Sequence, residues 1–192
     1  MQKEDDMINL CIIGRSNVGK TSFLNRYFDE YYAEECVCNN AVNYKTKEIS
    51  INPNKKINIR MYDCTAKEID KKMNNVKAIL LIYDITNKRS FNYIDKTILP
   101  MVVNLIQKSI CKLITVLVGN KVDKGLGREV SYEEGEKYAS EHEMLFREIS
   151  CKDNINIDEL MEQVLYEIEY SIKKPLKFIL KHKTHIRNDN CY

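Results

Sequence analysis

The stretch from Gly14 to Thr21 reads G-R-S-N-V-G-K-T and constrains the fold more than any other feature of the chain. An apolar run at residues 7–13 precedes it, and a pattern with helical spacing follows it. A strand, a glycine-containing loop and a helix in this order are typical of a phosphate-binding loop. Gly14 and Gly19 let the backbone curl, so that successive N–H groups and the start of the helix point at an anion. The alternative is a glycine turn without function, which the flanking strand and helix disfavour.

Two residues of this loop have specific predicted roles. Lys20 supplies a positive charge for the β and γ phosphates of a nucleotide, and the Thr21 hydroxyl is a potential Mg²⁺ ligand. The predicted phosphate contacts are Ser16, Asn17, Val18, Gly19, Lys20, Thr21 and Ser22.

Apolar strand patterns alternate with helical patterns along the rest of the chain. Further strands are predicted at 42–51, 55–62, 76–85, 113–118 and 144–149, the first two as an antiparallel hairpin. Helices are predicted to begin at Ser90, Ser131 and Asn156, with a kink or break at Pro100. This alternation predicts a doubly wound α/β fold. Ligands of such folds bind beyond the carboxyl ends of the strands, which predicts a site formed by loops 14–21, 29–41, 63–75, 120–125 and 150–154.

A second motif, Asn120-Lys121-Val122-Asp123, directly follows one of the predicted buried strands. A carboxylate at Asp123 can accept two hydrogen bonds from the N1–H and the exocyclic amine of guanine, whereas adenine offers neither in that arrangement. The stem of Lys121 can cover one face of the base and Tyr32 the other, while backbone N–H groups at 150–152 can meet guanine O6. The alternative is a polar turn after a strand. The predicted base-binding residues are Tyr32, Asn120, Lys121, Asp123, Ser150, Cys151 and Lys152.

Together these motifs resemble a Ras-like small GTPase, and the Rab family in particular. The resemblance is carried by the loop 14–21, by Y-D-I-T-N-K-R-S-F at 83–91, by the motif at 120–123 and by E-I-S-C-K at 148–152. It implies a P-loop G domain over residues 1–172, with a six-stranded, mostly parallel sheet, one antiparallel strand and helices on both faces. It also implies that the chain binds GTP or GDP with Mg²⁺.

The spelling of residues 14–22 also resembles the loops of bacterial ribosome-associated GTPases. The near-neutral charge of residues 1–172 argues against extensive contact with RNA, so we expect no nucleic-acid partner.

The family resemblance implies a switch in which two loops are held by the γ-phosphate and Mg²⁺, and here the chain departs from the family pattern. The position of the family's Mg²⁺-coordinating threonine falls on Asn39, whose amide oxygen is also able to ligate Mg²⁺. The family motif D-T-A-G-Q stands here as D-C-T-A-K, residues 63–67. Asp63 is able to hold a Mg²⁺-bound water, but Lys67 has no acceptor with which to orient the attacking water.

We therefore predict nucleotide binding with slow or impaired GTP hydrolysis. Lys20 and the altered position Lys67 are the candidate catalytic residues. The alternative is a degenerate GTPase that does not hydrolyse GTP and acts as a binding or scaffold module. Tyr44 and Tyr62 correspond to two of the three aromatic residues of the family's effector surface, which predicts effector and regulator proteins as partners.

Composition gives expectations about location. No apolar run reaches the roughly 18 residues of a membrane span, the first residues do not form a signal peptide, and seven scattered cysteines without a C-x-x-C pair indicate reduced thiols in the cytosol. Residues 173–192 carry six Lys/Arg and one Asp, which predicts a flexible basic tail that meets an anionic membrane surface. The sequence after Cys191 does not match a prenylation motif. We expect a cytoplasmic protein, peripheral on the cytosolic face of an endomembrane.

Overall fold

The computed structural model describes residues 7–33, 44–52, 55–65, 68, 76–108 and 112–173. Three of the sequence predictions concern residues outside these ranges. They are the predictions for Asn39, for Lys67 and for residues 174–192 of the basic tail.

A six-stranded sheet forms the centre of the molecule, with the strand order β2-β3-β1-β4-β5-β6. Its strands are β1 (Met7–Ile13), β2 (Tyr44–Asn52), β3 (Lys55–Cys64), β4 (Val76–Asp84), β5 (Ile114–Asn120) and β6 (Leu145–Ile149). β2 runs antiparallel to β3, and all other neighbouring pairs are parallel. The predicted α/β fold with one antiparallel strand is confirmed.

Four longer helices and a short 3₁₀ helix (Val122–Gly127) are found in the described part of the chain. The longer helices are α1 (Lys20–Asp29), α2 (Lys88–Lys108), α3 (Tyr132–Glu141) and α4 (Ile157–Lys173). α2 consists of an α-helical start (Lys88–Tyr93), a π-helical turn (Ile94–Ile98) and a second α-helical part (Leu99–Lys108). No helix of the described residues has the length and apolar content that a membrane span requires.

The helices cover both faces of the sheet because the central strands are apolar on both sides. In β4 the side chains of Leu80 and Ile82 join the core beneath α1 and α4. Those of Leu81 and Tyr83 join the core beneath α2 and α3. This arrangement explains why the central strands read as continuous apolar runs and not as alternating patterns.

The predicted start of α2 at Ser90 is wrong. Asn87 has extended backbone angles, and its side chain accepts a hydrogen bond from the Arg89 N–H at 3.1 Å, so Asn87 is the N-cap. Ser90 lies inside the helix and is fully buried, and its Oγ accepts from the Asp84 N–H at 3.0 Å. Both residue types favour caps, and burial of Ser90 against β4 decides between them. By contrast, Ser131 caps α3 as predicted, accepting from the Glu134 N–H at 3.1 Å.

The predicted kink or break at Pro100 takes the form of a π-helical turn. The helix continues through the proline, and just before it the Leu99 N–H bonds to the carbonyl of Ile94, five residues earlier. Pro100 has no backbone N–H, so the wider turn just before it does not cost a hydrogen bond that the proline would otherwise donate.

The core around β4 supplies a stability prediction. Leu80 is fully buried, and Leu80→Ala should lower the free energy of unfolding by about 2–5 kcal/mol through lost burial and a residual cavity. Urea unfolding measures the change. The control is Leu126→Ala, because Leu126 is 110% exposed and its loss should change stability by less than about 0.5 kcal/mol. Equal effects of the two substitutions would contradict this view of the core.

Candidate functional site

An open cleft of about 650 Å³ lies at the carboxyl edge of the sheet, a size typical of small-molecule sites. Most of the predicted site residues line it: Ser16, Asn17, Gly19, Lys20, Thr21, Ser22, Tyr32, Asp63, Asn120, Lys121, Asp123, Cys151 and Lys152. The side chains of Val18 and Ser150, two further predicted site residues, are buried, and the contacts predicted for these two residues are made by their backbone N–H groups. Thr65, Glu68 and Lys124 also line the cleft; they lie in loops that were predicted to form the site but were not named as site residues.

The loop between β1 and α1 is closely packed at its two glycines. A Cβ on Gly14 would lie 2.2 Å from the carbonyl oxygen of Ile82, and a Cβ on Gly19 would lie 2.2 Å from the side-chain nitrogen of Asn120. Gly19 also has φ +101°, a conformation that side chains rarely adopt. These positions require glycine, and the loop that they permit ends at the first N–H groups of α1, which are unpaired within a helix and attract anions.

The Lys20 ammonium folds back over this loop. Its Nζ donates to the carbonyls of Gly14 at 3.2 Å and Arg15 at 3.1 Å. A cation held above a ring of backbone groups at a helix start is suited to a phosphate, so the residues present fit a nucleoside di- or triphosphate.

Two oxygen groups lie next to the phosphate loop. The Thr21 hydroxyl donates to the carboxylate of Asp63 over 3.4 Å. Within the described residues there is no group of three or more His, Cys, Asp or Glu side chains that could hold a metal ion. Because Mg²⁺ is commonly bound by one or two protein oxygens together with phosphate and water, the pair fits Mg²⁺ only in combination with a bound phosphate.

Asp123 is oriented at the other end of the cleft. One of its carboxylate oxygens accepts from the Ser150 hydroxyl at 2.7 Å, and Ser150 Oγ accepts in turn from the Asp153 N–H at 3.0 Å. Ser150 thus fixes the rotamer of Asp123, and each carboxylate oxygen has more than one lone pair with which to accept from a ligand.

Asn120 connects the two ends of the cleft. It is 1% exposed; its side-chain amide donates to the Val18 carbonyl at 2.8 Å and accepts from the Cys151 N–H at 3.3 Å. The sequence predicted a ligand contact for Asn120 and a contact with guanine O6 for the N–H groups at 150–152. In the structure Asn120 joins two loops, and the Cys151 N–H is directed to it.

Lys121 is held by a residue that sequence reasoning missed. Its Nζ lies 2.7 Å from a carboxylate oxygen of Asp84 and donates to the Asn17 carbonyl at 2.7 Å. Burial acts to raise the pKa of Asp84, but hydrogen bonds from Lys121 and Thr86 outweigh it and hold this pKa below its ordinary value. One sequence signal could have identified Asp84, namely an acidic residue at the carboxyl end of an apolar strand. Asp84 ends β4 directly opposite Asn120 at the end of β5, so the two lie side by side at the carboxyl edge of the sheet.

Tyr44 and Tyr62 lie opposite each other on β2 and β3, outside the cleft. Their ring centroids are 5.6 Å apart, and the Arg60 guanidinium lies 5.0 Å from the centroid of Tyr44. Arg60 also donates to the Tyr62 hydroxyl at 3.3 Å. Tyr44 is 42% exposed, so the cluster presents aromatic surface to solvent.

Comparison with known proteins places this fold and cleft in a family. The model of the Ras family matches residues 9–170 of the chain. The chain belongs to the Ras family. Its glycine loop, its acidic group at Asp63 and its motif at residues 120–123 are therefore arranged on a Ras-family fold.

Rab proteins are among the similar relatives. The chain is 34% identical to Ras-related protein Rab-12 of Mus musculus over 171 residues, covering 85% of this chain and 68% of that protein. It is 31% identical to Ras-related protein rab-39 of Caenorhabditis elegans, covering 83% and 72% of the two chains. It is also 31% identical to Ras-related protein Rab-1 of Theileria parva, covering 82% and 72%.

The buried thiol of Cys151 gives a prediction about reactivity in this Ras-family chain. Burial raises its pKa to about 12, so at pH 8 only about 10⁻⁴ of the thiol is ionised, and thiolate is the reactive form. Iodoacetamide at pH 8 should therefore leave Cys151 unmodified in the folded protein and modify it in urea, as peptide mass spectrometry would show. Rapid labelling of Cys151 in the folded protein would contradict the burial described above.

Proposed function

We propose that the chain is a Rab-like small GTP-binding protein, a guanine-nucleotide- and Mg²⁺-dependent switch in membrane trafficking with slow GTP hydrolysis. The observation that carries the proposal is that one cleft contains both a predicted phosphate site and a predicted guanine site, at its two ends. The phosphate loop with Lys20 forms one end, and Asp123, oriented by Ser150, forms the other. Family membership and the similarity to Rab proteins support it.

The nucleotide is proposed to bind with its phosphates on loop 14–21 and its base at Asp123. The helix start and Lys20 offer positive potential to the phosphates, and the Asp123 carboxylate offers acceptors that match guanine. Thr21 and Asp63 would hold Mg²⁺, Asp63 through a water, and the ion would neutralise phosphate charge when bound. Lys121, fixed by Asp84 and Asn17, would cover one face of the base.

Slow hydrolysis is proposed from the sequence at the position that orients the attacking water. Lys67 has only donors, so it contributes charge to the phosphates but does not position a water through an acceptor. The second candidate function, a non-hydrolysing binding module, is favoured by the same residue together with Asn39. To distinguish the two functions, the binding of guanine nucleotide and its hydrolysis have to be measured directly.

The proposed partners are proteins and a membrane surface. The cluster of Tyr44, Tyr62 and Arg60 supports an interaction surface for effectors and regulators, because Tyr44 is exposed and aromatic and arginine side chains are enriched at the centres of protein interfaces. The basic residues at 173–192 support weak attraction to an anionic cytosolic leaflet.

Base recognition can be tested at Asp123. Asp123→Asn replaces one acceptor by a donor, so affinity for GDP should fall by about 100-fold or more and preference should move towards xanthine nucleotides. Competition against a fluorescent nucleotide measures both affinities. The matched control is Asp153→Asn in the adjacent loop, where the backbone N–H and not the carboxylate bonds to Ser150. Unchanged base preference in Asp123→Asn would show that the base does not bind here.

Hydrolysis can be tested at Lys67. Lys67→Gln restores an acceptor, so single-turnover hydrolysis of bound GTP should become about tenfold faster or more, with GDP affinity unchanged. If the wild-type chain binds GTP and neither protein hydrolyses it, the binding-module function is favoured over the switch. If the wild-type chain already hydrolyses GTP faster than the Gln variant, the proposed role of Lys67 is wrong.

A further inference from the structure

Arg26 of α1 meets two separate loops at the base end of the cleft. Its Nε donates to the Cys151 carbonyl at 2.9 Å, and its Nη2 donates to the Lys152 carbonyl at 2.8 Å. The centre of the guanidinium also lies 5.5 Å from the ring centroid of Tyr32. One side chain therefore contacts both the loop after β6 and the segment that follows α1.

The geometry of these contacts is specific to arginine. The planar guanidinium donates through two neighbouring nitrogens to two successive carbonyls, and its flat face is free to stack on a ring. A lysine at this position has a single nitrogen without a planar face, so it cannot reproduce all three contacts.

Together with two other hydrogen bonds, these contacts form a continuous chain of interactions around the cleft. The Cys151 N–H bonds to Asn120, and Asn120 bonds to the Val18 carbonyl of the phosphate loop, from which α1 and Arg26 follow. On the other side, the Tyr31 N–H donates to the Asn25 carbonyl at 3.2 Å, which holds the chain before Tyr32 against the end of α1. The two walls of the base end are thus tied together through Arg26.

We propose that Arg26 is a positioning residue that holds Tyr32 and residues 151–152 together as the walls of the base site, and that its contacts limit the rate at which guanine nucleotide leaves. The inference rests on the proposed function. Arg26 acts through these two walls and contributes no group to the base itself. Opening of the base end then requires its hydrogen bonds to break or to move with one wall.

The test is the release of a fluorescently labelled GDP from the full chain, chased with excess unlabelled GDP at constant Mg²⁺. Arg26→Lys keeps the charge but loses the paired hydrogen bonds and the stacking, so release should become about tenfold faster. The matched control is Arg89→Lys, because Arg89 is exposed in the first turn of α2 and away from the cleft lining. It should release nucleotide at the wild-type rate.

A second background separates positioning from a general structural role. In Tyr32→Leu one of the two walls is altered, so Arg26→Lys should accelerate release by clearly less there than in the wild-type chain. A purely structural role would lower the unfolding temperature and accelerate release equally in both backgrounds. Equal acceleration, or release from Arg26→Lys at the wild-type rate, would overturn the proposal.

The failure of this inference is distinguishable from failure of the proposed function. A wild-type chain that binds no guanine nucleotide refutes both. A wild-type chain that binds GDP tightly, with a release rate indifferent to Arg26, refutes only the role of Arg26.

Discussion

The buried side chain of Asn120 is the interaction on which the arrangement of the cleft depends. It donates to the Val18 carbonyl and accepts from the Cys151 N–H, and so it fixes the phosphate loop relative to the loop after β6. Both partner groups are backbone groups in a buried environment, where an unsatisfied donor or acceptor costs about 1–3 kcal/mol. The absence of a side chain at Gly19 makes room for this amide, so the glycine and the asparagine form one packing unit.

The sequence predicted the fold well because the fold follows from local patterns. Apolar runs marked the parallel strands, alternation marked the hairpin of β2 and β3, and a capping sequence marked the start of α3 at Ser131. The start of α2 was missed, since Asn87 and Ser90 are both suitable caps and only the burial of Ser90 against β4 distinguishes them. The local sequence pattern does not show that Ser90 is buried.

The site was predicted less completely, for a different reason. Motifs identify side chains that face a ligand, but they do not identify those that hold other residues in place. Asp84 was missed although it binds Lys121, and Arg26 was missed because its acceptors are backbone carbonyls more than 120 positions away. Every residue offers a carbonyl, so no residue type marks such a partner in a sequence.

The π-helical turn in α2 lets the helix hold one extra residue without changing which side chains face the sheet. Ile94 and Ile98 begin and end this turn, Val102 follows it, and all three are fully buried. Deleting a single residue within the turn would restore regular α-helical winding and leave Ile94 and Val102 seven residues apart, a spacing that keeps both on one face of an α-helix. A change of one residue in length should therefore be tolerated at this turn but not in the regular helix on either side, where it would rotate everything beyond it by about 100°.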